Sequence, residues 1–204
     1  MIKELEALEE EGVLSKRDSR FLDLGTGNGH MLFELRERNA STDEAGDCWL
    51  GEKVGVDYSE ASVELARRIG VARGLVDEKG GGIGEAGGIV FDRWDLLDAA
   101  PGGWLGSGFD VVLDKGTFDA ISLMPRSKTG RHPCEVYRDK VVPLVKPECF
   151  LIVTSCNWTK EELIQWLVGE GRGHLEYVKE GHYRSFSFGG QKGQTVVTLV
   201  FRRR

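Results

Sequence analysis

The chain has 204 residues, 40% hydrophobic and 29% charged, which bounds it to one globular domain of ordinary composition. Its formal net charge of −6, with acid concentrated in residues 4–11 and 43–52, argues against broad attraction to nucleic acid phosphate. No apolar run approaches the length that crosses a bilayer, and the opening MIKELEALEEEG is acidic and amphipathic rather than basic then apolar, so a soluble, cytoplasmic, monomeric protein is expected.

In chain order, residues 1–19 read as a short acidic helix, and FLDLG at 21–25 as the first strand. Asn28 is placed to cap a helix through MLFEL at 31–35. Residues 39–51 look inserted and are expected to form a flexible surface loop. EKVGVDY at 52–58 is a second strand, and Ser59 caps a helix through ASVELARRIG at 61–70. The glycine-rich KGGGIGEAGG at 79–88 reads as a second flexible insertion, since such composition buries too little apolar area to offset its ordering entropy. It lacks the following Lys-Ser/Thr of a triphosphate loop.

GIVFD at 88–92, FDVVLD at 109–114 and CFLIVTS at 149–155 supply three more strands. Between the last two, Thr117 is suited to cap a helix through FDAISL, with Asp119 favouring its dipole; Pro133 suits a helix start and Pro143 an end or kink. Thr159 and Glu162 have the T-x-x-E form of a capping box ahead of EELIQWL at 161–167. The runs HLEYVKEGHYR at 174–184 and TVVTLVFRR at 195–203, separated by turn-like FGGQKGQ, predict an antiparallel hairpin. Strands apolar on both faces that alternate with helices predict a buried, mostly parallel sheet with helices on both sides. Cys48, Cys134, Cys149 and Cys156 form no C-x-x-C pair and have no histidine at ligand spacing, so reduced structural thiols are expected and no metal.

Asp23-Leu24-Gly25-Thr26-Gly27-Asn28-Gly29 falls where the first strand turns into the first crossover helix, the place where an open α/β sheet binds its ligand. The second strand ends in Asp57, and an acid there commonly accepts hydrogen bonds from ribose hydroxyls. Together these features predict a nucleoside-bearing cofactor. The spacing is G-x-G-x-G rather than the dinucleotide G-x-G-x-x-G, and Asp23 would repel a pyrophosphate. A cofactor with a sulfonium and an α-amino group would be attracted instead, which describes S-adenosylmethionine.

These residues resemble the class I, seven-stranded S-adenosylmethionine-dependent methyltransferases. FLDLGTGNG looks like their first motif, GVDYS like the acidic end of the second strand, and Phe91-Asp92-Arg93-Trp94-Asp95-Leu96 like the segment beside adenine. More narrowly, GVDYSEASVELAR, LDKGTFDAISL, CFLIVTSCNWTKEEL and FSFGGQKGQTVVTLVFRR resemble the protein-lysine methyltransferases that act on translation elongation factor 1-alpha. The resemblance implies a Rossmann-like α/β domain spanning the whole chain, with S-adenosylmethionine as methyl donor and S-adenosylhomocysteine as product. It implies a cofactor set of Asp23, Leu24, Gly25, Thr26, Gly27, Asn28, Asp57, Tyr58, Asp95, Leu96 and Asp114.

For catalysis the resemblance points to Asp114, Thr117 and Asn157, at the ends of the fourth and fifth strands. Asp114-Lys115-Gly116-Thr117 departs from the N-P-P-Y pattern of base amino-group methyltransferases, which points to a protein or small-molecule amine. A lysine acceptor has an unperturbed pKa of about 10.4, so only a small fraction is nucleophilic at neutral pH. Asp114 could orient the amine, accept its proton or stabilise the charge left on nitrogen; it could equally bind N–H groups of its own loop. Trp158 reads as part of the acceptor slot or as a core anchor, and Lys115 as a structural or surface cation. Two other readings stay open: methylation of another protein or a small amine, and a non-catalytic adapter that keeps the fold.

Overall fold

The computed structural model describes residues 1–37, 48–77, 88–126, 130–169, 174–181, 186–188, 191–193 and 196–204. The chain begins with α1 (Ile2–Glu10), then β1 (Phe21–Leu24), α2 (His30–Glu37), β2 (Lys53–Asp57), α3 (Glu60–Ala72), β3 (Ile89–Arg93) and β4 (Phe109–Lys115). There follow α4 (Thr117–Ser122), α5 (Pro133–Val141), β5 (Val145–Ser155), α6 (Lys160–Val168), β6 (Leu175–Glu180), β7 (Phe186–Phe188), β8 (Gln191–Gly193) and β9 (Val197–Arg203). Seven strands form one sheet in the order β3-β2-β1-β4-β5-β9-β6. The first five are mutually parallel. Strand β9 runs antiparallel between β5 and β6, as the expected hairpin requires.

Side-chain alternation sends neighbouring residues of each strand to opposite helical layers. From β4, Val112 joins a core with Phe118 of α4, Tyr137 of α5 and Leu163 of α6. Its neighbours Val111 and Leu113 pack with Leu5 and Leu8 of α1, Leu32 and Phe33 of α2, and Val63 of α3. The chain therefore makes a three-layer sandwich whose order reverses between β1 and β4. At such a reversal the crossovers leave in opposite directions and open a crevice at the strands' C-terminal ends.

Local signals place the helices as read. Ser59 Oγ accepts from the N–H of Ser62, the Thr159–Glu162 capping box is formed, and Pro133 is the first residue of α5. The cap of α5 is His132, whose ring accepts from Cys134 N. Asn28 Oδ1 accepts from His30 N at the head of α2.

Four expectations change. The acidic helix ends at Glu10, not residue 19, because Gly12 takes φ +74° and the chain turns. Strand β5 starts at Val145, ahead of Pro147, with a register shift against β4. The segment between the last two long strands holds a short ladder of its own, β7 with β8. Finally, residues 39–47 and 79–87 of the two expected insertions lie outside the described residues, but the end of the first is core. Trp49 is 1% exposed and meets Phe21 edge to face with ring centroids 5.1 Å apart. An indole so placed belongs to the core rather than to the solvent-facing surface.

Truncating that ring should open a cavity. Trp49→Ala is expected to cost about 3–5 kcal/mol of unfolding free energy, measured by denaturant titration; a change near zero would show that the indole does not pack here.

Candidate active site

A cavity of about 490 Å³ opens at the C-terminal ends of β1, β2 and β4. Leu24 and Gly25 form its floor, Asp57 and Tyr58 one side, Trp94, Asp95 and Leu96 the far end, and Lys115 to Thr117 with α4 the opposite side. Thr117, Ala120, Ile121 and Met124 line it at intervals i, i+3, i+4 and i+7, one face of a helical path.

The glycine turn is built for close approach. A Cβ on Gly25, which sits at φ +64°, would lie 2.1 Å from Thr117 Oγ1. That hydroxyl donates to Leu24 O at 2.7 Å, fastening the turn to α4. A Cβ on Gly29 would meet the rings of Phe91 and Phe33 within 3 Å, so this position serves packing beneath the turn.

Four carboxylates surround the crevice in different states. Asp23 is 5% exposed; Oδ2 accepts from Thr26 Oγ1 at 2.8 Å, and Oδ1 has no donor among the described residues. Burial pushes it up to about 7, with Asp114 and Asp57 adding to the rise while Thr26 and Lys115 oppose it. Asp57 accepts from the N–H of Gly27 at 3.0 Å and of Ser59 at 2.9 Å. Those bonds leave other lone pairs on both oxygens for hydroxyl donors. Asp95 is exposed, and its Oδ1 accepts from Leu97 and Asp98 N–H, an Asx-type turn.

Asp114 differs from the expected acceptor-side catalyst. It is fully buried and does not line the cavity. Its oxygens accept from Thr117 N at 2.9 Å, Phe118 N at 3.0 Å and Tyr137 OH at 2.6 Å. Burial pushes it up to about 6, opposed by these three donors, while burial and the Asp114 charge drive Tyr137 well above its ordinary value. The reason is alternation: Asp114 shares the face of Val112, towards α4 and α5, rather than pointing along the strand end. Asp114, not Thr117, caps α4. Thr117 is the first helical residue, and its hydroxyl is committed to β1.

Asn157 lies elsewhere. It lines a second cavity of about 600 Å³ with Ser155, Cys156, Trp158, Lys160 and Glu180. Helix α4 connects the two. Asp119 Oδ1 accepts from Ser155 Oγ at 2.5 Å, and Oδ2 from Cys156 N at 2.9 Å. Trp158 donates to Ser122 Oγ at 3.3 Å and packs near Phe118, so it is both anchor and wall.

Of the residues expected from the sequence, Leu24, Gly25, Asp57, Tyr58, Asp95, Leu96 and Thr117 line the first cavity; Asp23, Thr26, Gly27 and Asn28 belong to the turn without lining it. Tyr137 went unrecognised, and no local pattern pairs it with Asp114 across 23 positions. The face formed by Ala120, Ile121 and Met124 was legible as a helical repeat starting at Thr117.

The sequence profile of the methyltransferase-domain family matches residues 15–182. Among curated proteins, the chain is 37% identical over 181 residues to the protein-lysine N-methyltransferase EFM4 of Saccharomyces cerevisiae, covering 88% of this chain and 68% of that one. It is 37% identical to the EEF1A lysine methyltransferase 2 of Danio rerio and 35% to that of Homo sapiens, each over 91% of this chain and covering 67% and 66% of those proteins. Among solved structures, the N-methyltransferase NodS of Bradyrhizobium japonicum with S-adenosylhomocysteine aligns with TM-score 0.57 at 13% identity, over 97% of this chain and 87% of that one. A magnesium protoporphyrin IX methyltransferase of Synechocystis with bound S-adenosylmethionine aligns with TM-score 0.58 at 16% identity, over 99% and 77%. At these identities the likeness is one of fold.

Two outcomes follow from the carboxylates. Asp114→Ala frees the head of α4 and should lower stability and S-adenosylhomocysteine affinity together, the latter by about tenfold, roughly 1.4 kcal/mol. Calorimetry showing unchanged affinity would return Asp114 to the acceptor side. For Asp23 and Asp114, folded values near 7 and 6 lie above the ordinary 3.8, so the native state holds protons the unfolded chain has released. Their contribution to stability is full below about pH 4 and is lost as pH rises through about 6 to 7. Ligand-free Asp23→Asn should therefore lose less stability than the wild type between about pH 5 and about pH 8; parallel curves would contradict the assignment.

Proposed function

The chain belongs to the methyltransferase-domain family that includes EFM4 and EEF1A lysine methyltransferase 2, and we propose that it methylates a lysine side chain of translation elongation factor 1-alpha. It is an S-adenosylmethionine-dependent enzyme. The observation that carries the reading is identity of 35–37% over about nine-tenths of the chain to proteins named for that activity, with a cavity built at the matching strand ends.

The residues present fit the cofactor. Asp23 keeps one carboxylate oxygen without a donor among the described residues, which favours a cation against the turn. Asp57 offers lone pairs that would accept from ribose hydroxyls, and Trp94 and Leu96 an apolar wall beside Asp95 that would take a purine. When bound, S-adenosylmethionine supplies a methyl group activated by a sulfonium, so the chain's own task is alignment.

The acceptor side is assigned to the second cavity. Asn157 offers an amide there, Trp158 a flat apolar wall, and Glu180 a carboxylate held by Lys160 at 3.1 Å. Glu161 and Glu180 in this lining would receive the lysine as its ammonium, with Trp158 and Val197 as the apolar part of the wall. With Asp114 committed to α4 and Tyr137, positioning rather than proton capture by that carboxylate is the contribution of β4. Four free cysteines support a reducing, cytoplasmic compartment.

The test is the intact and peptide mass of unmethylated elongation factor 1-alpha after incubation with this protein and S-adenosylmethionine. A gain in whole methyl steps on one lysine is expected. Asn157→Ala should raise KM for the protein substrate about threefold to tenfold while S-adenosylhomocysteine affinity holds. Normal affinity without any mass gain would turn the reading towards another amine or a non-catalytic adapter.

A further inference from the structure

The lining of the first cavity is electrostatically lopsided. Among the described residues it carries the carboxylates of Asp57 and Asp95, with Asp23 buried just behind the turn, and a single cation, Lys115. This lysine is exposed, and its ammonium makes no salt bridge or hydrogen bond among the described residues. Most described arginines near the site are already engaged: Arg67 donates to Phe91 O, and Arg93 to Tyr58 O, while also facing Glu60.

Position matters as much as charge. Lys115 ends β4 one residue beyond the registered pair of Leu24 with Asp114, at the level of the glycine turn. Alternation puts it on the sheet face opposite Asp114 and on the same face as Asp23, whose carboxylate its charge reaches.

A ligand that ends in an amino acid brings one positive and one negative group to this turn. The ammonium has Asp23. An α-carboxylate entering among Asp23, Asp57 and Asp95 is repelled unless a cation meets it, and the lining offers one. We propose that Lys115 is the counter-ion for the α-carboxylate at the methionine end of the cofactor, a cofactor-orienting residue that sets where the sulfonium lies along the turn. Lys115 transfers nothing. The inference rests on the cofactor reading of this cavity, not on which protein is the methyl acceptor.

The test compares two ligands on the whole chain by calorimetry. S-adenosylhomocysteine carries the amino acid end; 5′-methylthioadenosine keeps the nucleoside and thioether but lacks it. Lys115→Met should weaken S-adenosylhomocysteine by about tenfold and 5′-methylthioadenosine by less than about twofold, and Lys115→Arg should recover most of the loss. The salt dependence of S-adenosylhomocysteine binding should also flatten in Lys115→Met. Equal losses for both ligands, or no loss for S-adenosylhomocysteine, would overturn the proposal. Absence of binding by the wild type would overturn it together with the cofactor reading, whereas tight binding without methylation of elongation factor 1-alpha would remove only the substrate assignment.

Discussion

A carboxylate buried in a protein interior must be met by donors, and the way Asp114 is met determines the geometry of the crevice. Its oxygens take the first N–H groups of α4 and the hydroxyl of Tyr137 from α5. One acid, buried together with Phe118 and Tyr137, thus binds the end of β4, the head of α4 and the middle of α5 to one another. Leaving one of those donors or acceptors unpaired in the core would cost about 1–3 kcal/mol. From this unit Thr117 reaches across to Leu24 O, so the glycine turn of β1 inherits its position from the same anchor.

Helix α4 then works as a wall with two sides. Thr117, Ala120 and Ile121 face the cavity beside the glycine turn. Asp119 and Ser122 hold the Ser155–Trp158 turn, which lines the second cavity. A six-residue helix has too few internal hydrogen bonds to stand alone. Its order comes from the buried acids Asp114 and Asp119, and through it the two cavities keep a common frame. In-line methyl transfer is sensitive to such alignment because little other than geometry separates a productive encounter from an unproductive one.

The electrostatics of the crevice follow the same economy. Acids are gathered where a sulfonium, an ammonium and ribose hydroxyls are expected, and burial makes Asp23 a poor solitary anion, raised to about 7. A site poised in this way gains from a cation and resists a pyrophosphate. The lone lysine on its rim balances the part of the ligand that carries the opposite charge.

Much of this was legible in the chain itself. Strand and helix order, the caps at Ser59 and Thr159, the closing antiparallel strands and the glycine turn with Asp57 all depend on residues close in sequence, and local periodicity, capping and turn chemistry specify them. The linked motifs also sufficed to name the family and the cofactor. What the sequence could not settle was which side of the sheet each strand-end residue serves. Asp114 reads as an acid at a strand end, and only the stacking of α4 and α5 on one face brings Thr117, Phe118 and Tyr137 onto its carboxylate. Trp49 reads as part of an insertion until Phe21 is set against it. Tyr137 and Lys115 acquired roles from partners far away in the chain or across the sheet. Contacts of that kind arise from the packing of layers, which pairs residues by face and register and leaves no spacing in the sequence to mark them.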